Sequence, residues 1–407
     1  MRRVIVLITA WLCSLSVFAA NNSFVPWAGD WNDTANWTLG SVPDDAGTYG
    51  NPVVVNGSKT CTIQAGTDAT ATRVFVGASA PGTLIVKGTL LYLWNTEGLQ
   101  LGYWTAGHGT VKVLGGTIGA ENNRKLLCLG TDNDDHGVLQ IGDETVGGIG
   151  YFADVKVNSD TNGVSLIDLQ GGELDADNVL LGDVQGTADS VKMLVSDAAT
   201  VNVNTLLVGV KDYVTAAEMT VNGSEAQLNI SSYVTLARDS RMNFVFDDNG
   251  VSTVSANKFW YDWNAEINIT GTENVQSGTY ELIVGATGGS MNQGMLKFNI
   301  DTNSFAAGTT LNLIHDTDGR DAVLLEVDSP VIPVTPEIGD ITVDTEGSDA
   351  VVSFNGASGH SYALQRCLDL TDGIWSNIVT GITGAGGMQT VSNSMSPTAS
   401  FYRIVSE

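Results

Sequence analysis

Two histidines, His108 and His136, each stand immediately before a glycine and about one repeat step apart, a pair that could hold a metal or exchange a proton. Asp175 and Asp177 alternate onto one side of a strand, with Asp183 soon after. Glycoside hydrolases use such a pair, two carboxyl groups about 5–10 Å apart on one face. The run Thr131-Asp132-Asn133-Asp134-Asp135-His136-Gly137 gathers hard oxygen donors, and Asp132, Asp134 and Asp135 are the ligands a Ca²⁺ ion would take there. Tryptophan faces pack on pyranose rings, which makes Trp27, Trp31, Trp37 and Trp375 candidates for glycan binding.

Each group has a plainer reading, and the sequence favours it. In a chain with 45 acidic residues, an i, i+2 carboxylate pair arises readily on a solvated strand. The Asp/Asn run has neither the closing glutamate of an EF-hand nor a calcium nonapeptide repeat, so it reads as an Asx-rich turn. The histidines read as solvated corner residues, and the three N-terminal tryptophans as the plug of an open end. A lyase would need a base to take the proton α to a carboxylate. Lys87, Lys112, Lys156 and Lys192 are scattered, with only Lys112 and Lys156 near one another by repeat count, and Arg238 and Arg241 sit together farther on.

The elements that must position these residues follow from a repeat. Val74-Phe75-Val76-Gly77, Leu99-Gln100-Leu101-Gly102, Leu127-Cys128-Leu129-Gly130, Val179-Leu180-Leu181-Gly182 and Leu206-Leu207-Val208-Gly209 recur at a step of about 27 residues, the length of a solenoid turn. Asp154-Val155-Lys156-Val157 fills the one skipped slot, and Val234-Thr235-Leu236-Ala237 continues the series. Strand-like segments opening at Gly82, Gly109, Gly137 and Gly163 keep the same step. Apolar residues alternate with period two and lack helical spacing, which argues strands. The first and third residues of each motif then face inward and stack as an aliphatic column, while glycine and Asn/Asp supply the positive φ of tight corners. The expected fold is all-β: a right-handed parallel β-helix of about seven rungs, followed by a small immunoglobulin-like β-sandwich.

Residues 1–20 read as a signal peptide, Met1-Arg2-Arg3 before an apolar run and a small-residue cleavage site near Ala19. A Trp-rich N-terminal cap over 21–72, rungs over 73–256, a distal β cap over 257–328, a Pro-rich linker over 329–339 and a C-terminal module over 340–407 complete the division. In the module, Tyr362 and Trp375 are the expected core aromatics. After leader cleavage Cys61, Cys128 and Cys367 remain, an odd and dispersed set that indicates no disulfide framework. The formal charge of −27 repels nucleic acid and anionic membranes, and disfavours polyanionic substrates unless divalent cations mediate. No segment after the leader approaches the length of a membrane span.

The spacing of Trp27, Trp31 and Trp37 with Pro43 after them, the Leu-x-Leu-Gly rungs, and the closing segments Ser361–Gln365, Asp369–Trp375 and Ser400–Arg403 resemble secreted parallel β-helix surface proteins of planctomycete- and verrucomicrobia-like bacteria. That resemblance implies a bacterial secreted or cell-surface protein and implies no reaction. The chain lacks the Pro-Glu-Pro tail of the sorted members. The expected function is a non-catalytic structural or adhesive protein that contacts an extracellular polysaccharide or cell-surface component, with no cofactor, Ca²⁺ being the one candidate. The alternative is a β-helix polysaccharide lyase or glycoside hydrolase.

Overall fold

The computed structural model describes residues 21–44, 52–92, 98–103, 107–130, 135–159, 163–183, 189–209, 215–262, 264–285, 296–316, 322–330, 342–346, 349–356, 361–368, 374–384, 387–394 and 401–406. The signal-peptide region and most of the Pro-rich linker lie outside them. Two compact units divide at Pro330/Val331.

The first unit is a parallel β-helix of about nine turns. Each turn contributes strands to three faces. The first face carries the repeat motif, as in Val74–Val76, Leu99–Leu101 and Lys125–Leu129. The second carries the glycine-led strands, from Lys59–Ile63 through Gly82–Val86, His108–Val113 and His136–Ile141 to Lys297–Ile300. The third begins as separate strands, such as Asp68–Ala71 and Thr89–Tyr92. From Ile149 onward it runs straight into the next turn's first face, giving the long strands Ile149–Val157, Glu173–Leu181, Thr200–Val208, Gln227–Leu236 and Val254–Tyr261.

The inward residues are those the alternation predicts. Val76, Leu101, Leu129, Val157, Leu181, Val208 and Leu236 lie over one another in unbroken register, and all are fully buried. Val74, Leu99, Leu127, Val155, Val179, Leu206 and Val234 form a second buried column. With apolar burial worth about 25 cal/mol per Å², these shared columns make each turn depend on its neighbours.

The stack is longer than the expected seven rungs because its outer turns do not carry the motif. Parallel pairing already begins at Asn22↔Val53, and Val53–Val55 lies in register beneath Val74–Val76. It continues past 256, through Glu266–Thr270 and on to Lys297–Ile300. In the central turns the corner falls on Gly77, Gly102, Gly130, Gly182 and Gly209, all at positive φ. In the late turns Asp239 (φ 59°) and Asn264 (φ 68°) take the left-handed conformation instead, so the glycine mark disappears while the geometry persists.

At the N-terminal end Trp31 and Trp37 meet edge to face at 5.0 Å, Phe24 joins Trp37 at 5.2 Å, and the Trp37 indole Nε1–H donates to the Trp31 carbonyl at 2.7 Å. At the distal end Gly278–Gly285 pairs parallel with Val254–Tyr261 and then antiparallel with Ala322–Asp328, which pairs antiparallel with Thr310–Asp316. The reversal interrupts the parallel template that an open edge would offer to another chain.

The second unit consists of two three-stranded antiparallel sheets around a core of Val352, Phe354, Tyr362, Leu364 and Ile404, a small β-sandwich. Tyr362 is a core aromatic as expected. Trp375 is not; Phe354 fills that place, and the Trp375 ring is half-buried with the Arg403 guanidinium 4.2 Å above it.

Corner geometry gives a direct test. A Cβ at Gly66 (φ 76°) meets nothing within 4 Å, whereas one at Gly77 (φ 70°) would lie 2.1 Å from the backbone oxygen of His108 in the next turn. Gly66→Ala should lose about 1–2 kcal/mol for the left-handed conformation alone. Gly77→Ala should lose clearly more, and thermal melts of the two variants check the order.

Candidate functional site

The outer surface of the β-helix is a set of columns in which each side chain meets the one a turn above and a turn below. On the second face His108 pairs with His136, and their rings stand 3.7 Å apart between centroids at 64°. Gly163 closes on the second ring, since a Cβ there would lie 2.1 Å from the His136 Nδ1. Burial, and then the neighbouring His108, hold the His136 imidazole below its ordinary pKa of 6.5. Asp135, next to it, is fully buried and accepts the Gly107 backbone N–H at 2.9 Å. That carboxylate ties one turn to the next. Asp132 and Asp134 lie outside the described residues, among which no group of three or more His, Cys, Asp or Glu side chains is placed to hold a metal.

The carboxylate pair is on the third face, where Arg124 Nη1 bridges Asp175 Oδ1 at 2.9 Å and Asp177 Oδ1 at 3.1 Å. Asp183 is elsewhere: on the first face it reaches back to Lys156 Nζ at 2.9 Å. This hydrogen bond, ahead of any other influence, raises the Lys156 pKa. Lys112 and Lys156 also separate. Lys112 lies on the second face between Ile85 and Gln140, and Lys156 on the first between Cys128 and Leu180. Sequence reasoning missed Arg124, which sits 53 residues before Asp177, about two turns away. Only the period could have brought them together.

Most remaining cations on the second face form a ladder. Lys192, Glu218, Arg241, Glu266 and Lys297 occupy successive turns in register. Their ion pairs measure 3.4 Å (Lys192–Glu218), 3.9 Å (Arg241–Glu218), 3.6 Å (Arg241–Glu266) and 4.0 Å (Lys297–Glu266). Beside it Asn243 Nδ2 donates to Thr220 Oγ1 at 3.0 Å, Asn268 to Asn243 Oδ1 at 2.8 Å, and Asn299 to Asn268 Oδ1 at 2.8 Å. Such ladders spend hydrogen-bonding capacity along the stack.

On the first face the outward column runs Val54, Phe75, Gln100, Cys128, Lys156, Leu180, Leu207, Thr235 and Trp260. Phe75 lies under Tyr103, stacked at 5.0 Å. Gln100 is 6% exposed, and its Oε1 has no hydrogen-bond partner among the described residues. Burial pushes the Cys128 thiol up to about 12, which leaves it protonated and poorly nucleophilic. Of the tryptophans proposed from sequence, Trp31 and Trp37 are consumed by the N-terminal core, whereas Trp27 is 76% exposed. An exposed aromatic pair, Tyr233 and Trp260, stands at the distal end of the first face.

No protein-family model, curated protein or solved structure matches this chain.

The His136 site predicts a pH response. Because the folded state holds this imidazole below 6.5, the unfolded chain takes up the proton first. Stability present above about 6.5 is therefore lost as the pH falls through the ordinary value toward the lower folded one. Melting temperature should drop between about pH 7.5 and 5.5, and His136→Gln should flatten that drop. The thiols give a second test. Burial raises Cys61 as well as Cys128, so neither should react with a disulfide reagent at mild alkaline pH until denaturant is added.

Proposed function

We propose that the chain is a non-catalytic secreted or cell-surface protein of structural or adhesive type, in which the β-helix is a rigid spacer that contacts extracellular glycan. One observation carries this reading: among the described residues, the carboxylate pair, Asp183 with Lys156, and the two histidines each have a close partner. Arg124 occupies both members of the carboxylate pair, Asp183 holds Lys156, and the two imidazoles pack on each other. A retaining or inverting hydrolase needs one carboxyl free to protonate a leaving group. Here the Arg124 guanidinium lies within 3.1 Å of both Asp175 and Asp177 and pairs with each. A lyase needs an uncommitted base beside a cation-lined groove, and the alternating ladder offers paired charges in its place.

The extracellular assignment draws on the apolar leader and on the strongly acidic composition, and it agrees with the sequence resemblance to secreted β-helix proteins. Among the described residues no helix is long and apolar enough to cross a membrane.

The test is a turnover screen of the protein against soluble polysaccharides, neutral and uronic, with and without Ca²⁺. No reducing ends and no unsaturated products are expected. Product release that Asp175→Asn or His136→Gln abolishes would replace this reading with an enzymatic one.

A further inference from the structure

Tyr233 and Trp260 are large aromatic side chains left outward on two adjacent strands, Gln227–Leu236 and Val254–Tyr261. Val234 and Phe259 between them and their neighbours point into the core. Register pairs Tyr233 with Lys258 and Thr235 with Trp260, so the two aromatics occupy one diagonal of a four-residue patch, with Thr235 and Lys258 on the other. Strand spacing and rise place the aromatic Cα atoms about 8 Å apart. Trp260 is 47% exposed and Tyr233 37% exposed. The Phe75 ring in the same column is instead covered by Tyr103. Leaving two rings in water on adjacent turns forgoes burial that the fold secures elsewhere, and it presents two apolar faces beside a hydroxyl and an ammonium group.

We propose that Tyr233 and Trp260 form a stacking platform for a neutral polysaccharide on the first face. A pyranose ring offers an apolar C–H face and a rim of hydroxyls. The aromatics match the face, and Thr235 and Lys258 match the rim. The formal charge of −27 argues for a neutral polymer over a uronic or sulfated one. Trp27, also exposed, has the apolar Val25 and Leu39 exposed near it in sequence, without a second exposed aromatic. This assignment rests on the glycan-contact reading and goes further by fixing the site and the class of polymer.

Affinity electrophoresis of the full chain in gels containing laminarin, xylan, galactomannan or hydroxyethylcellulose, with polygalacturonate for comparison, tests it. At least one neutral polymer should retard the protein. Trp260→Ala and Tyr233→Ala should each weaken that retardation about tenfold, with Trp27→Ala unchanged. Melting curves confirm that the variants stay folded. Neutral binding that survives the double variant overturns the platform and leaves the glycan-contact reading standing. Retardation by polygalacturonate alone overturns the neutral class. If no polymer retards the wild-type chain, both the platform and the glycan-contact reading fall.

Discussion

In-register parallel stacking is the constraint on which the rest of this β-helix depends. Adjacent turns lie about 4.8 Å apart, and each side chain faces its counterpart in the turns above and below. The same rule gives opposite results on the two sides of a strand. Inside, identical partners are favourable, so Val74, Leu99, Leu127, Val155, Val179, Leu206 and Val234 repeat with only aliphatic variation. Outside, identical charges at that spacing would repel, and the second face alternates Lys192, Glu218, Arg241, Glu266 and Lys297. Asparagine escapes the dilemma because its amide both donates and accepts, which is why Asn243, Asn268 and Asn299 can follow one another directly.

Stability in such a stack is local, shared between neighbouring turns, and so the ends need separate solutions. The two ends use different chemistry. At the N-terminal end Phe24, Trp31 and Trp37 pack edge to face. The distal end changes strand direction, so Thr310–Asp316 is the last of its sheet and pairs antiparallel. Between them the corners require left-handed backbone, and the close approach of the next turn's carbonyl at Gly77, Gly102 and Gly130 excludes any side chain there. Once the corner moves clear of that carbonyl, aspartate or asparagine suffices, as at Asp239 and Asn264.

That distinction explains what could be read from the chain. The inward columns were legible because period-two alternation, with a glycine at a fixed offset in most central turns, marks them; alternation alone marked Asp154–Val157 and Val234–Ala237. The first and last turns were not, since the late corner falls on Asn264 and the apolar run Val53–Val55, closed by Asn56-Gly57, lacks the alternating partner of the repeat motif. The outer faces were legible only through the period. Lys112 and Lys156 looked adjacent by repeat count, yet they occupy different strands of their turns and therefore different faces. Asp175 and Asp183 lie eight positions apart and were drawn together in sequence, but a corner divides them; Arg124, about two turns distant, is the true partner of the pair. Trp375 misled for another reason. A lone tryptophan in a small sandwich suggests a core, but a guanidinium stacked on its face can stabilise it outside one.

The functional reading turns on a consequence of the same geometry. In a globular enzyme, catalytic groups from distant elements converge on a cleft, where burial and unlike neighbours push their pKa values apart. A solenoid face instead lines up groups from successive turns, within reach of one another. Here Glu218 and Arg241 have counter-ions stacked on them and His136 a matching imidazole, while Arg124 reaches Asp175 and Asp177 from two turns away and Asp183 reaches back to Lys156. Chemistry would require breaking a column, with a side chain left free to face substrate. At the distal end of the first face Tyr233 and Trp260 place aromatic surface outward, with Thr235 and Lys258 beside them. A flat face with intermittent aromatics can hold a polymer along its length without a cleft. On the proposed reading, a glycan lies along such a face, held by contacts on successive turns.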